Sequence, residues 1–290
     1  MRSCALLLCF ALVTLARADP VVLYEKSSEY GNIIVTQDDS GLRILRFEKG
    51  GARQSVVKPG DPEYLALPYA PVAFVGLALC GEPRRVLVLG LGGGTLPMFL
   101  RKHYPNAVID AVDIDPQVVH VAREYFGFRD DGAMRAHVAD GRRFIEAVAQ
   151  PYDVIFLDAF GTDSVPPHLA TREFLNAVRR AVAPGGVVVG NLWGSGSNRL
   201  YDSMVRTYQD VFDDLYILDV RGAENKILLA LPRREVFGSA ELERRSREVS
   251  TARQFRFDLG SLVGYGFLHA SARNPDVSVL LDRNLAQPWR

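Results

Sequence analysis

The chain has 290 residues, with 34 Lys+Arg against 34 Asp+Glu and 48% hydrophobic residues. That is a globular composition with room for one large domain and a small one. Balanced charge argues against a nucleic-acid binder or a membrane-surface binder, both of which need a basic excess.

Residues 1–18, "MRSCALLLCFALVTLARA", place Arg2 before an apolar run from Cys4 to Leu15, which ends at Ala16-Arg17-Ala18. This is the pattern of a secretory signal peptide with a small-x-small cleavage site. The run is shorter than the roughly 20 apolar residues a membrane span needs, so no stable membrane insertion is expected. Export to the periplasm or the outside is therefore expected. The alternative is a cytoplasmic chain in which this stretch is a buried helix or follows a misplaced start codon. Cleavage after Ala18 would remove Arg2 and Arg17, leaving a slight acidic excess, and would leave Cys80 as the one cysteine. One cysteine cannot close an internal disulfide, so cysteine usage does not decide the compartment.

Residues 19–61 read as a small antiparallel β unit. "GNIIVTQ" and "LRILRFE" are rich in branched residues and are separated by the turn signal Asp38-Asp39-Ser40-Gly41. Residues 62–232 read as the main domain. It opens with a mostly apolar stretch to Leu79, predicted to be helical and buried. Alternating strands and helices follow: "RVLVLGLG", "LPMFLRKHY", "AVIDAVDID", "PQVVHVAREYF", "MRAHVAD", "GRRFIEAVA", "YDVIFLDAF", "HLATREFLNAVRRAV", "VVVGNLW" and "SNRLYDSMVRTYQDVF". Pro184-Gly185-Gly186 is expected to end the fourth helix, and Ser197 to cap the fifth. "LYILDV" and "NKILLAL" then read as a terminal hairpin rather than another crossover. Residues 233–290 form a charged tail in which one helix is expected, around 239–253.

Five strand–helix units make a doubly wound sheet, and ligands of such sheets sit outside the carboxyl ends of the strands. Four polar features fall at those ends. The first is the turn Gly90-Leu91-Gly92-Gly93-Gly94, whose glycines permit positive φ and close backbone approach. The second is Asp113, placed to accept both hydroxyls of a ribose. The third is Asp140-Gly141, placed to meet an adenine edge, although Asp140 could equally cap the helix it precedes. The fourth is Asp158. A dinucleotide fingerprint, G-x-G-x-x-G, would need glycine at position 95, where Thr95 stands. The G-x-G-x-G spacing and the closing hairpin instead match S-adenosylmethionine-binding folds. The class predicted is α/β: a doubly wound, Rossmann-like class I methyltransferase fold with a C-terminal antiparallel hairpin, preceded by the small N-terminal β unit. No Gly-Lys-Ser/Thr follows the turn, which excludes a phosphate-binding P-loop.

Over residues 24–231 the chain resembles the spermidine synthase (polyamine aminopropyltransferase) family. The resemblance rests on "VLVLGLGGGTLP", "AVDIDPQVV", "REYFGF", "VADGRRFI", "YDVIFLDAF" and the upstream "GGARQSVVKPGDPEY". It implies that Gly90, Gly92 and Gly93 line a nucleoside ligand and that Asp113 binds its ribose. It also implies that Asp140 and Gly141 bind adenine and that Gln54 lies near the methylthioadenosine part. Asp158 matches the first acid of the family's Asp-x-x-Asp loop, the catalytic position. The co-substrate implied is decarboxylated S-adenosylmethionine, or S-adenosylmethionine, with no tightly bound cofactor. The acceptor implied is a putrescine-like amine, and self-association as a homodimer is implied by resemblance alone.

Three positions depart from the family. Thr95 stands where the family has an acid after Gly-Gly-Gly. Gly161 stands where the second acid of the loop belongs, with Asp163 two residues on as a stand-in. Of the family's Tyr-x-Glu, Tyr64 matches the tyrosine while Ala66 replaces the glutamate, and Tyr69 is a rival for the same role. The nucleoside half of the site thus reads as intact and the amine half as eroded. Two other functions remain open: a methyltransferase using S-adenosylmethionine, and a non-catalytic adenosyl-thioether-binding protein. His103, His120, His137, His168 and His269 show no metal-ligand spacing, and none is expected to hold a metal. His168 is expected to be a surface residue at a helix start. Trp193 either lines the crevice or packs.

Overall fold

The computed structural model describes residues 19–161 and 165–285. The signal-like segment 1–18 and Asp163 lie outside the described residues. The chain opens with strands β1 (Val21–Ser28), β2 (Gly31–Gln37), β3 (Arg43–Arg46) and β4 (Ser55–Val57), an antiparallel sheet in sequence order. β2 carries a buried run, Ile33 to Val35, toward the rest of the molecule.

The next segment differs from expectation. Only Tyr69–Ala73 is α-helical (α1), and a 3-10 helix, Phe74–Leu79, continues it. Pro68 disfavours helical geometry at the residue before it, so the helix begins there and not at Pro62. The irregular stretch is fixed by charge instead. Asp61 and Glu63 pair with Arg256 from the tail, and Glu63 also meets Lys102 and His103.

The main domain follows: β5 (Arg85–Leu89), α2 (Thr95–His103), β6 (Val108–Asp113), α3 (Pro116–Tyr125), β7 (Met134–Val138), α4 (Gly141–Glu146), β8 (Tyr152–Leu157), α5 (Arg172–Ala181), β9 (Val182–Trp193), α6 (Tyr201–Val211), β10 (Asp214–Asp219), β11 (Asn225–Leu231), α7 (Ser239–Ala252) and β12 (Phe267–His269). The large sheet runs β12-β10-β11-β9-β8-β5-β6-β7. From β9 to β7 the pairings are parallel, and β10, β11 and β12 pair antiparallel. This is a Rossmann-like methyltransferase sheet closed by the expected hairpin. Its parallel strands read as near-continuous apolar runs because helices cover both faces. One face packs Val86, Val88, Val154 and Phe156 under Phe74 and Phe99. The other packs Leu87, Leu89, Ile155 and Val188 under Phe174, Met204 and Tyr208.

Two sequence boundaries are corrected. The fourth helix ends at Ala181, and Val182 already pairs with Tyr152. Ala183 to Gly186 then form a bulge, where a Cβ on Gly186 would sit 2.6 Å from the Asp153 carbonyl oxygen. Ser197 does not cap α6; Leu200 precedes its first residue and Asn198 Oδ1 accepts the Leu200 amide. The tail holds the expected helix, but it also returns to the sheet. β12 pairs with β10, and Leu242, Leu259 and Val263 are fully buried in the layer that contains Phe74 and Phe99. Three residues are too short for a period-2 pattern to mark as a strand.

Candidate active site

The site is assembled at the carboxyl ends of β5, β6, β7 and β8. β5 hands over to the glycine turn, and there Gly90 has φ +97°, with its absent Cβ pointing 2.2 Å from the Asp158 carbonyl oxygen. A side chain at that position would drive the two strand ends apart. The turn is fastened by backbone bonds on either side: Gly90 N–H to Val112 O, and Asp158 N–H to Leu89 O, both 2.8 Å. Gly94, at φ +80°, is the N-cap of α2, and α2 has no acid in its first turn, Thr95 being its first residue.

Asp113 closes the turn from the side. Its Oδ2 accepts the Leu91 amide at 3.0 Å and its Oδ1 the Asp115 amide at 3.0 Å. Burial pushes its carboxyl up to about 6, against the pull of these backbone N–H groups. Each carboxylate oxygen retains a lone pair for a hydroxyl donor. Asp115 caps α3 through the Gln117 amide, which explains the Asp-Pro start of that helix.

Ser55, at the start of β4, accepts the Gly93 amide on its Oγ at 2.8 Å, while Gln54 precedes it and bonds Leu45 O through its own amide. The small sheet therefore completes the glycine turn. It is tied down further by Ser28 on Asp115 and by Tyr24 Oη on Gln117 Oε1 at 2.6 Å.

Asp158 follows β8 and faces α1. Its Oδ2 accepts the Tyr69 hydroxyl at 2.8 Å and its Oδ1 accepts Asn191 Nδ2 at 2.8 Å. Burial pushes this carboxyl up to about 6, and the two donors hold it below where burial alone would leave it. Burial first, and then the same contact, drive the Tyr69 phenol well above its usual range. Tyr69, not Tyr64, thus stands at the acid. Tyr64 lies in the irregular stretch, with its ring 5.9 Å from Lys58 Nζ, because the helix that would have turned it inward starts five residues later. Phe160 and Trp193 form a tilted aromatic pair, 5.7 Å between centroids, beyond the end of β8.

Asp140 fills the capping role: its side chain accepts the Arg143 amide at 2.8 Å. His168 Nε2 lies 3.5 Å from the other oxygen and is the main cause holding this acid down to about 2. His168 is accordingly no surface helix-start residue. It sits in a short 3-10 turn, Pro167–Leu169, with a largely buried ring that ties the segment after β8 to the end of β7. Gly141 has φ in the ordinary range and room for a Cβ at van der Waals distance from Leu89. The other histidines are structural: His103 on Glu63, His137 on Asp110, His269 on Asp214, and His120 against the Tyr24 ring. Among the described residues no group of acids, histidines or cysteines could hold a metal ion.

Sequence reading thus brings Gly90, Gly92, Gly93, Asp113, Asp140 and Asp158 to one edge of the sheet. It missed Ser55 and Asn191. Both act across elements far apart in the chain, and neither sits in a motif of its own.

A model of the spermine/spermidine synthase domain matches residues 71–196. The polyamine aminopropyltransferase of Vibrio vulnificus is 34% identical over 232 residues, covering 78% of this chain and 77% of that protein. The human eEF1A lysine and N-terminal methyltransferase is 36% identical over 187 residues, which is 58% of this chain but only 27% of that protein. In fold, a probable spermidine synthase from Corynebacterium glutamicum superposes with a TM-score of 0.70 at 20% identity, covering 91% of this chain and 99% of that one.

Proposed function

The chain belongs to the spermine/spermidine synthase family, and on that premise we propose that it moves an aminopropyl group from decarboxylated S-adenosylmethionine to a putrescine-like amine, releasing methylthioadenosine. The observation that carries the reading is Asp158, a half-buried carboxylate beside the glycine turn with two neutral donors on its oxygens. The attacking amine is an ammonium at neutral pH and must lose a proton to free the lone pair that attacks carbon. In the reaction the amine nitrogen bonds the carbon next to sulfur, the carbon–sulfur bond breaks, and its electron pair stays on sulfur as a neutral thioether. The proton passes to Asp158, which at about 6 is ionised at neutrality and able to take it. Tyr69 orients that carboxylate. Asp113, beside the turn, suits the ribose hydroxyls, and Asp140 and Gly141 suit the adenine edge. Most of the rate comes from holding the two reactants in line.

One observation favours a second reading. Thr95 puts a neutral side chain at the positive N-terminal end of α2, where an acid would have anchored a cationic amine. A donor that keeps its carboxylate is repelled less there, and the methyltransferase relative at 36% identity is in keeping with methyl transfer. Offering each sulfonium donor with putrescine separates the two: methylthioadenosine supports aminopropyl transfer, and adenosylhomocysteine overturns it. We also read residues 1–18 as an export signal, which mass spectrometry of the mature N-terminus tests. An intact Met1 in an exported or cytoplasmic product would refute it. No helix among the described residues is long and apolar enough to cross a membrane.

A further inference from the structure

We propose that Asn225 is a positioning residue: through Asn191 it fixes the hydrogen bonding of Asp158, and so sets the acid's readiness to accept a proton. The inference rests on the proposed role of Asp158 in aminopropyl transfer, but its central test does not.

Three side chains form one chain of hydrogen bonds that ends on the carboxylate. Asn225 Nδ2 donates to Asn191 Oδ1 at 2.8 Å, and Asn191 Nδ2 donates to Asp158 Oδ1 at 2.8 Å. The sheet makes this possible. Asn225 is the first residue of β11 and pairs across from Trp193, while Asn191 pairs across from Ile227. The two amides are diagonal neighbours on one face, within reach of each other. Asn191 is only 4% exposed, so neither end of its amide has water to fall back on.

The amide of asparagine has two ends, and only one suits a carboxylate. With Asn225 donating into Asn191 Oδ1, the N–H end must face Asp158. Turning the amide over would set Nδ2 against the Asn225 Nδ2 and Oδ1 against Asp158. That flipped state would serve only a protonated Asp158, whose O–H could donate to Oδ1. While Asn225 keeps its Nδ2 toward Asn191, it denies the neutral acid an acceptor and keeps the ionised form favoured. Without it, the flip is free, the protonated acid gains a partner, and proton affinity rises.

Among the described residues, the groups bonded to the Asp158 carboxyl are the Tyr69 hydroxyl from α1 and the Asn191 amide from β9. Among the described residues, charged neighbours flank Asn225 on the hairpin. Lys226 Nζ is held by Asp219 Oδ1 at 2.7 Å, and Glu224 flanks Asn225 and accepts the Gly194 amide on its backbone oxygen.

The test is a carbon-13 titration of the Asp158 carboxyl in the ligand-free protein, assigned by its loss in Asp158→Asn. In Asn225→Leu the midpoint should rise by about one pH unit, the effect of one hydrogen bond that discriminates between protonation states. Asn225→Gln, which keeps a donor, should stay near the unaltered protein. The acid limb of the transfer rate against pH should move with the carboxyl, with methylthioadenosine affinity unchanged. If Asn225→Leu does not fold, Asn225→Ala serves; it also removes the donor to Asn191 without adding charge, and its midpoint should rise likewise. A Leu or Ala variant that titrates with the unaltered protein overturns the relay. A shifted midpoint in a chain that transfers no aminopropyl group supports the relay and sinks the proposed reaction instead.

Discussion

Replacing Asp158 by asparagine should abolish aminopropyl transfer and, at neutral pH, stabilise the fold. Burial raises this carboxyl from an ordinary 3.8 to about 6. Between those values the folded chain binds more protons than the unfolded chain, so the contribution of Asp158 to stability falls as pH rises through that window. Above pH 6 the folded state carries the full cost of an ionised acid in a poor solvent. A rise of that size corresponds to about 3 kcal/mol, and solvent screening at the crevice mouth trims the expected gain on removing the charge to about 1–2 kcal/mol. The asparagine can be accommodated. Its Oδ1 accepts from Asn191, and the Tyr69 hydroxyl turns to accept from its Nδ2. Urea titrations of both proteins at pH 7.5 and pH 4 are the assay. The asparagine variant should lead at pH 7.5 by that margin, and the lead should shrink toward pH 4, where the native carboxyl is protonated. A variant no more stable at pH 7.5, or a lead independent of pH, refutes the reasoning.

Gly90→Ala should fail to fold or lose at least about 3 kcal/mol, because a Cβ there meets the Asp158 carbonyl oxygen at 2.2 Å and φ is +97°; yield of soluble protein and a thermal melt decide it, and a native-like melt would show the turn to be looser than drawn. Ser55→Ala leaves the Gly93 amide without its partner, so stability should fall by about 1–3 kcal/mol, read by urea titration. Asp113→Ala should weaken methylthioadenosine binding by about 1–3 kcal/mol in calorimetry, and unchanged affinity would remove Asp113 from the site. Thr95→Asp should raise diamine use by supplying a charge at the start of α2, and no gain in diamine affinity would count against the eroded-site account.

The nucleoside side of the crevice was legible because its signals are local. A continuous apolar strand, a glycine run and an acid at the next strand end each fall within a few residues, and the parallel sheet brings them to one edge. Asp140 carried two local readings, and the structure shows the helix cap. The amine side was less legible. Tyr64 and Tyr69 both follow the same Pro-rich stretch, and only the start of α1 decides which ring reaches Asp158. Ser55, Asn191 and Asn225 touch the site from a second sheet, a neighbouring strand and a hairpin, and no spacing rule links them to the residues they serve. The tail was read as mostly irregular because its burial is spread over Leu242, Leu259 and Val263, too sparse for a period to show.

The path of that tail governs where the protein can be cut. Phe255 sets its ring edge-on to Phe99 at 4.8 Å, and Arg256 reaches back to Asp61 and Glu63. A shortened protein stopping at Leu231 would keep every residue of the crevice, yet it would expose the greasy flank of α2 and leave Glu63 short of one cation. Such a fragment should clump on expression, so trimming for crystallisation or fusion belongs beyond Asp282, which still pairs with Arg142 and Thr171.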